Sequence, residues 1–499
     1  MASNAKVRVT VTLQPSGKST VILVHSLYDL LRQCSSKFRI KARRVFVATT
    51  GEEIVTDLLS RVSNDTKLIV TCGDSYTIAN PPSKAATIDS SSVPVKVIAN
   101  RTLVEQAAID QLNNVTRIYP HVRHVWGNEA KVLFPSHFTI GVLLGMPDLH
   151  VGQSTPIGCV VATDPSVVYP ELIGSDIGCG MSFVRTSLRL VCEDDERKLL
   201  KWTKQLQGLD ECLPQQVVHE FLRSDLQWPV DVAKITNDYS ENEQMGTIGA
   251  GNHFVELQRI EQLYDDADED LSTDDLYLLV HSGSRSLGAR FLSEFEKGTD
   301  GARGLEAGTE PFDSYMAKHD EACAWAKRNR ALIARRFLAC LGDDQPARCL
   351  VDIWHNNVVV KQFTSATSPV HLHRKGAAPS DQGRVVIPGS RGTHSYLVEP
   401  LANEQESSGY SLAHGAGRAM SRSKARQHFG DRYPDTDRLK ITESLDSHVV
   451  CDDRQLLYEE HPLAYKTIDA VIEDLVEAKL IRVIAKLRPL ITYKTRLTH

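Results

Sequence analysis

Alternating apolar and polar positions open the chain. In Val7-Arg8-Val9-Thr10-Val11-Thr12-Leu13 every second side chain falls on one face, the two-residue period of a half-buried strand. A Pro15-Ser16-Gly17 turn separates it from a second strand-like run, Ser19–Val24. The period then lengthens, and Leu27–Cys34 reads as helix. Arg44–Ala48, a Thr50-Gly51-Glu52 turn, Thr56–Leu59 and Lys67–Thr71 complete a compact unit assigned to residues 1–75. Pro, Ser and Ala crowd residues 76–100, which predicts a flexible linker. Beyond it, Val104, Ala108, Leu112 and Val115 recur at helical spacing over 101–116. A charged helix is predicted over 319–341, carrying Lys327, Arg328, Arg330, Arg335 and Arg336 either as a solvated face or as an RNA-facing patch. A last helix is predicted over 467–487, capped by Thr467 with Val471, Leu475, Leu480 and Ile484 inward. No second linker interrupts 101–499, so that stretch reads as one large domain of mixed strands and helices, an α+β class.

Composition narrows the function. The 499 residues are 41% hydrophobic and 24% charged, which excludes a disordered chain or a disulfide scaffold. Net charge is −6, so any phosphate-binding face is local. The acidic run Asp265–Asp270 predicts a solvated loop. No apolar run approaches the ~20 residues of a membrane span. The ten cysteines form no CxxC pair, which fits reduced thiols and a cytoplasmic setting. The stretch before Asp29 is basic and acid-free like an organellar transit segment, but its alternation favours a strand of the mature fold.

Candidate chemistry sits in Gly/Ser-rich turns beside His, Asp or Cys. These are Gly174-Ser175-Asp176-Ile177-Gly178-Cys179-Gly180, Gly251-Asn252-His253-Phe254, His281-Ser282-Gly283-Ser284-Arg285 and Trp354-His355-Asn356. One such His is usually a turn or core residue. Three, with an Asp-x-x-Cys pair, suit a borderline ion such as Mn²⁺, Zn²⁺ or Fe²⁺ better than Mg²⁺ or Ca²⁺. A bridging thiolate would let five ligands hold two ions. Ser411-Leu412-Ala413-His414-Gly415-Ala416-Gly417-Arg418 reads as a tight turn into a helix whose N-terminus would receive an anion, with His414 poised as a phosphorus nucleophile. His373-Arg374-Lys375-Gly376 and Gly389-Ser390-Arg391-Gly392 offer further phosphate contacts.

These segments, with Met146-Pro147-Asp148-Leu149-His150, resemble in order the motifs of the RtcB family of GTP-dependent RNA ligases over roughly 101–499. The resemblance implies joining of RNA 2′,3′-cyclic phosphate or 3′-phosphate ends to 5′-hydroxyl ends, with GTP and two Mn²⁺ ions. It implies Asp176, Cys179, His253, His281 and His355 as metal ligands, Cys179 bridging. It implies His414 as the guanylylated nucleophile and Asp148 as an acidic group near the reacting ends. Asn252, Phe254, Glu256, Ser390, Gly415, Ala416, Gly417, Arg418, Tyr465 and Lys494 would contact the nucleotide, and Arg285, Lys375 and Arg391 the RNA or its phosphates. Splicing-type members carry Gly-Ser-Met-Gly where this chain has Gly389-Ser390-Arg391-Gly392, which points to a repair branch linked with a release-factor homologue. An archease-like activator is a second implied partner. The N-terminal unit is similar to ubiquitin-like or doublecortin-like β-grasp modules and is expected to bind a protein partner. The competing readings are a dinuclear-metal phosphoesterase that opens RNA ends without ligation, a tRNA-splicing ligase, and an inactive RNA-binding scaffold.

Overall fold

The computed structural model describes residues 7–13, 19–47, 53–54, 66–71, 95–119, 143–190, 195–223, 244–264, 268–298, 304–364, 366, 368–442 and 445–495. The chain divides into two compact units, Met1–Ser92 and Val93–His499.

In the first unit a four-stranded sheet runs in the order Ser19–Val24, Val7–Leu13, Thr66–Thr71, Arg44–Val47. Val7–Leu13 and Thr66–Thr71 are parallel and the other pairs antiparallel. The predicted alternation holds, with Val9, Val11 and Leu13 buried against Leu30 and Cys34 of a helix, Leu27–Phe38. That helix starts where the Ser26 hydroxyl accepts the Asp29 amide at 3.1 Å. It stops at Arg39, whose left-handed φ of 56° ends the repeat. It therefore runs four residues past the predicted Cys34. The expected strand Thr56–Leu59 lies outside the described residues.

The second unit is built on two large sheets. The main path of the larger is Arg348–Trp354, Gly180–Arg185, Leu276–Ser282, Phe254–Leu263, Ile481–Thr495, Ser395–Pro400, Val385–Pro388, with Ser447–Cys451 also pairing with Ile481–Thr495. The other runs Asn356–Lys361, Val370–Lys375, Ile157–Thr163, Leu143–His150, Lys96–Val97. Strands such as Leu143–His150 and Leu276–Ser282 are buried at every position, because both faces are covered.

Several predicted boundaries move. The linker's last residues belong to this unit, since Lys96 and Val97 pair in parallel with Leu144 and Gly145. The Asp474 carboxylate accepts the amides of Asn100, Arg101 and Thr102 at 2.7–2.9 Å. Residues 76–94 lie outside the description, and the following helix is Gln106–Ile118. The charged helix is longer, Glu310–Cys340, and neither reading of its cations holds. Arg328 and Arg330 are fully buried, Arg336 donates to the Gly246 and Gly208 carbonyls, and Arg335 alone of the five is exposed. The terminal helix ends at Glu477, where Lys479 turns left-handed (φ 58°); Leu480 and Ile484 are buried, but Ile484 lies in the strand Ile481–Thr495. Thr467 stands at the cap position without a side-chain bond. Of the acidic run, Asp268 has a buried side chain ion-paired with Arg384, and Asp270 meets Arg348 at 2.6 Å. No helix among the described residues is long and apolar enough to cross a membrane.

Candidate metal and nucleotide site

Adjacent strands of the larger sheet bring the predicted ligands to one edge. Met181 stands opposite His281, and His281 opposite Phe254, across hydrogen-bonded ladders. Cys179 and His253 are the residues just before the strands Gly180–Arg185 and Phe254–Leu263. His355 lies between the strands Arg348–Trp354 and Asn356–Lys361, with its amide on the Cys179 carbonyl at 2.8 Å. Residues far apart in sequence thus meet because strands stack about 4.8 Å apart.

The Cys179 sulfur lies 3.4 Å from His253 Nε2 and 3.2 Å from His281 Nε2. Donor atoms of these three buried residues fall within 4.8 Å of one another. Asp176 Oδ2 is 2.9 Å from His253 Nε2. The His355 ring is 5.1 Å from that of His281 and 4.7 Å from that of His414, and His355 Nδ1 is buried without a hydrogen-bond partner. His253 Nδ1 faces the Ile248 carbonyl at 3.2 Å, so it carries the proton and leaves Nε2 as a lone pair. Burial pushes the Cys179 thiol well up, with Asp176 adding to it, and pushes His281 and His355 well down. Burial pushes Asp176 up, but His253, Cys179 and Arg285 together outweigh it and hold the carboxyl below its usual range. One thiol, neutral imidazoles with free lone pairs and a carboxylate fit a borderline divalent ion.

Small residues allow this approach. A Cβ on Gly283 would sit 2.1 Å from Asp176 Oδ1, and one on Gly376 2.9 Å from the His414 ring.

His414 follows the short strand Ser411–Ala413. Its Nδ1 lies 2.6 Å from Asp148 Oδ2, which also accepts the His414 amide at 3.1 Å. The proton on Nδ1 leaves Nε2 free as a nucleophile. Asp148 is fully buried, and Lys466 brackets it by donating to the Pro147 and Leu149 carbonyls at 3.0 and 2.6 Å. The turn after His414 does not enter a helix directly. The helix Arg422–Arg432 begins eight residues on, capped by Ser421, so the anion-receiving amides predicted at Gly415–Gly417 belong to a loop. Within that loop Gly417 (φ 69°) passes so close that a Cβ would lie 2.2 Å from the Asp148 carbonyl.

A cleft of about 740 Å³ is lined by every predicted site residue except Asp148, His253 and Arg285. Asp148 and His253 stand directly behind it, bonded to His414 and Asp176. Arg285 holds a left-handed φ of 59° and lies 3.4 Å from the Thr247 hydroxyl. At one wall Glu460 gathers three predicted residues. Arg418 reaches it at 3.1 Å, Lys494 at 3.5 Å, and the Tyr465 hydroxyl donates to it. Lys494 also stands over the Phe254 ring at 5.8 Å. Glu256 is buried, accepts from Gln258 at 2.6 Å and from Thr492, and is pushed up to about 7 by burial. Lys375 reaches the Thr155 hydroxyl at 2.7 Å. Arg391 departs from its expected role, because its guanidinium is spent on the carbonyls of Glu460, Leu439 and Leu457 at 2.6–2.9 Å.

Sequence reading missed four supports. Glu460 was one of an ordinary acidic pair, and Lys466 one lysine after Tyr465. Asn356 links the Gly376 amide to the Asp176 carbonyl at 2.7 and 3.1 Å. Arg330 donates to the Gly178 and Ser282 carbonyls at 3.0 Å and to Asp352 at 2.6 Å. Only Asn356 carried a signal, as the neighbour of a candidate ligand.

Known proteins resemble the chain along the same stretch. The family described as tRNA-splicing ligase RtcB matches residues 134–228 and 220–495. An RNA-splicing ligase RtcB2 of Escherichia coli is 39% identical over 355 residues, covering 70% of this chain and 87% of that protein. An RNA-splicing ligase RtcB1 of the same species is 28% identical over 446 residues, covering 82% and 98%. A tRNA-splicing ligase RtcB of Nanoarchaeum equitans is 27% identical over 482 residues, covering 81% and 95%. With this match along most of its length, and with Asp176, Cys179, His281, His355 and His414 lining one cleft, the chain belongs to the RtcB family.

Proposed function

We propose that this chain is an RNA ligase that joins 2′,3′-cyclic phosphate or 3′-phosphate ends to 5′-hydroxyl ends through a histidine–GMP intermediate, in RNA repair in the cytoplasm. The observation that carries this reading is the imidazole of His414, oriented by Asp148 at 2.6 Å and set 4.7 Å from the His355 ring. Asp176, Cys179, His253, His281 and His355 would hold two Mn²⁺ ions, which draw charge from the phosphates when bound. Phe254, Glu256, Tyr465 and Lys494 form the guanine end of the cleft. Asn252, Ser390, Gly415, Ala416, Gly417 and Arg418 face the rest of the nucleotide, and Arg285 and Lys375 the RNA phosphates. Neutral His414 attacks the α-phosphorus of GTP with Nε2, and pyrophosphate leaves. An oxygen of the RNA 3′-phosphate then takes the GMP as the P–N bond breaks. The 5′-hydroxyl oxygen attacks that activated phosphate and releases GMP. Cyclic ends are first opened by water. Asp148 keeps the Nδ1 proton throughout the first step, so the nucleophilic lone pair stays on Nε2. An archease-like activator or a release-factor homologue is the protein partner this reading calls for.

The test is incubation with Mn²⁺ and α-labelled GTP. Acid-labile label on the protein, absent from His414→Ala, is expected. Opening of cyclic ends with no protein label would establish the phosphoesterase reading instead.

A further inference from the structure

Residues 1–47 carry nine Lys or Arg and a single acid, Asp29, in a protein whose net charge is −6. The described part of the first unit shows where those cations go. Its ion pairs are His25–Asp29 at 2.9 Å and Arg44–Glu53 at 2.6 Å. Arg32, Arg39, Lys41 and Arg43 are exposed and have no such pair among the described residues. Tyr28 and Arg32 are four residues apart and so share one stripe of the helix Leu27–Phe38, and Arg39 stands at its cap. Leu30 and Cys34 fill the opposite, buried side. Lys41 and Arg43 follow directly and lead into the strand Arg44–Val47. Tyr28 is 76% exposed, an aromatic left in water one helical turn from Arg32.

We propose that this face of the N-terminal unit binds single-stranded RNA, the cations on the backbone and Tyr28 stacked on a base. Unpaired guanidinium and ammonium groups release condensed counterions on meeting phosphates. An exposed aromatic offers a face on which a base stacks, which adds to the phosphate contacts of the cations. The unit would then hold an RNA strand on the same chain as the ligase site and raise its local concentration there. This use of the surface rests on the RNA-ligase reading of the second unit.

The experiment measures binding of the full chain to an oligouridylate with hydroxyl at both ends, which is no ligation substrate, across a salt titration. The combined variant Arg32→Gln, Lys41→Gln, Arg43→Gln removes three exposed cations. Its slope of log affinity against log salt is expected to flatten by about 2. Tyr28→Ala is expected to weaken oligouridylate about tenfold while leaving binding of inorganic polyphosphate, which has no bases, unchanged. The charge-preserving Arg32→Lys, Arg43→Lys variant is expected to bind as the parent does. Unchanged affinity and slope in the triple variant overturn the proposal. Loss of binding to anionic phosphatidylserine vesicles with RNA binding intact would assign the face to membrane instead. Guanylylation of His414 is scored in every variant, so failure of the ligase reading registers separately from failure of this one.

Discussion

Glu256 offers a sharp test of the nucleotide wall. Its carboxyl is 3% exposed, and burial lifts it from 4.5 to about 7 against the opposing pull of Thr492, Gln258 and Lys494. The folded protein therefore keeps a proton there that the unfolded chain releases above pH 4.5. Stability must fall as pH rises from 4.5 through about 7 and level off above. A displacement of that size corresponds to about 3 kcal/mol, most of it lost between pH 5 and 8.5. Glu256→Gln abolishes the titration with little steric change. The amide oxygen can accept from Gln258, and the amide nitrogen can donate to Thr492, whose hydroxyl rotates to accept. Urea unfolding at pH 5 and pH 8.5 reads the difference directly. The variant should gain about 2–3 kcal/mol over the parent at the higher pH relative to the lower. On the proposed reading it should also bind GTP more weakly at pH 8.5, where the parent would offer an ionised acceptor to guanine N–H groups. Parallel stability profiles for the two proteins would refute the buried, proton-holding carboxyl.

Three further outcomes follow from other contacts. Asp148→Asn keeps an oxygen for His414 but loses its charge, worth about 1.5–3 kcal/mol, so guanylylation should slow by roughly ten- to a hundredfold while GTP affinity holds, read by single-turnover labelling. Arg330→Met strips buried Asp352 of its cation and leaves the Gly178 and Ser282 carbonyls unpaired, and should cost about 3–5 kcal/mol in denaturant unfolding. Gly283→Ala drives a methyl into Asp176, and should weaken Mn²⁺ binding by about tenfold or more in equilibrium dialysis.

The candidate ligands were legible because each sits in a short Gly-flanked turn that local chemistry marks out, and strand registers then bring those turns together. What supports them was not. Arg330 looks like any arginine of a charged helix until that helix packs on the strands Gly180–Arg185 and Leu276–Ser282 and buries it. Arg391 carried the charge expected of a phosphate contact, but three backbone carbonyls reached it first. Leu480 and Ile484 satisfied a helical period by coincidence; the left-handed Lys479, not periodicity, decides where helix becomes strand. The linker's composition is real, yet Asp474, more than 370 residues away, fixes its far end, and no local pattern encodes so distant an acceptor.

The strand Ile481–Thr495 joins Phe254–Leu263 on one side to Ser395–Pro400 and Ser447–Cys451 on the other. Every strand it unites is translated earlier, and the lysine it delivers to the cleft is among its last residues. A chain ending before residue 481 would lack the strand that pairs with both sides, and so would leave their edges unpaired. The sheet can close only once that stretch has left the ribosome, and a stop codon upstream of it would expose an edge to aggregation.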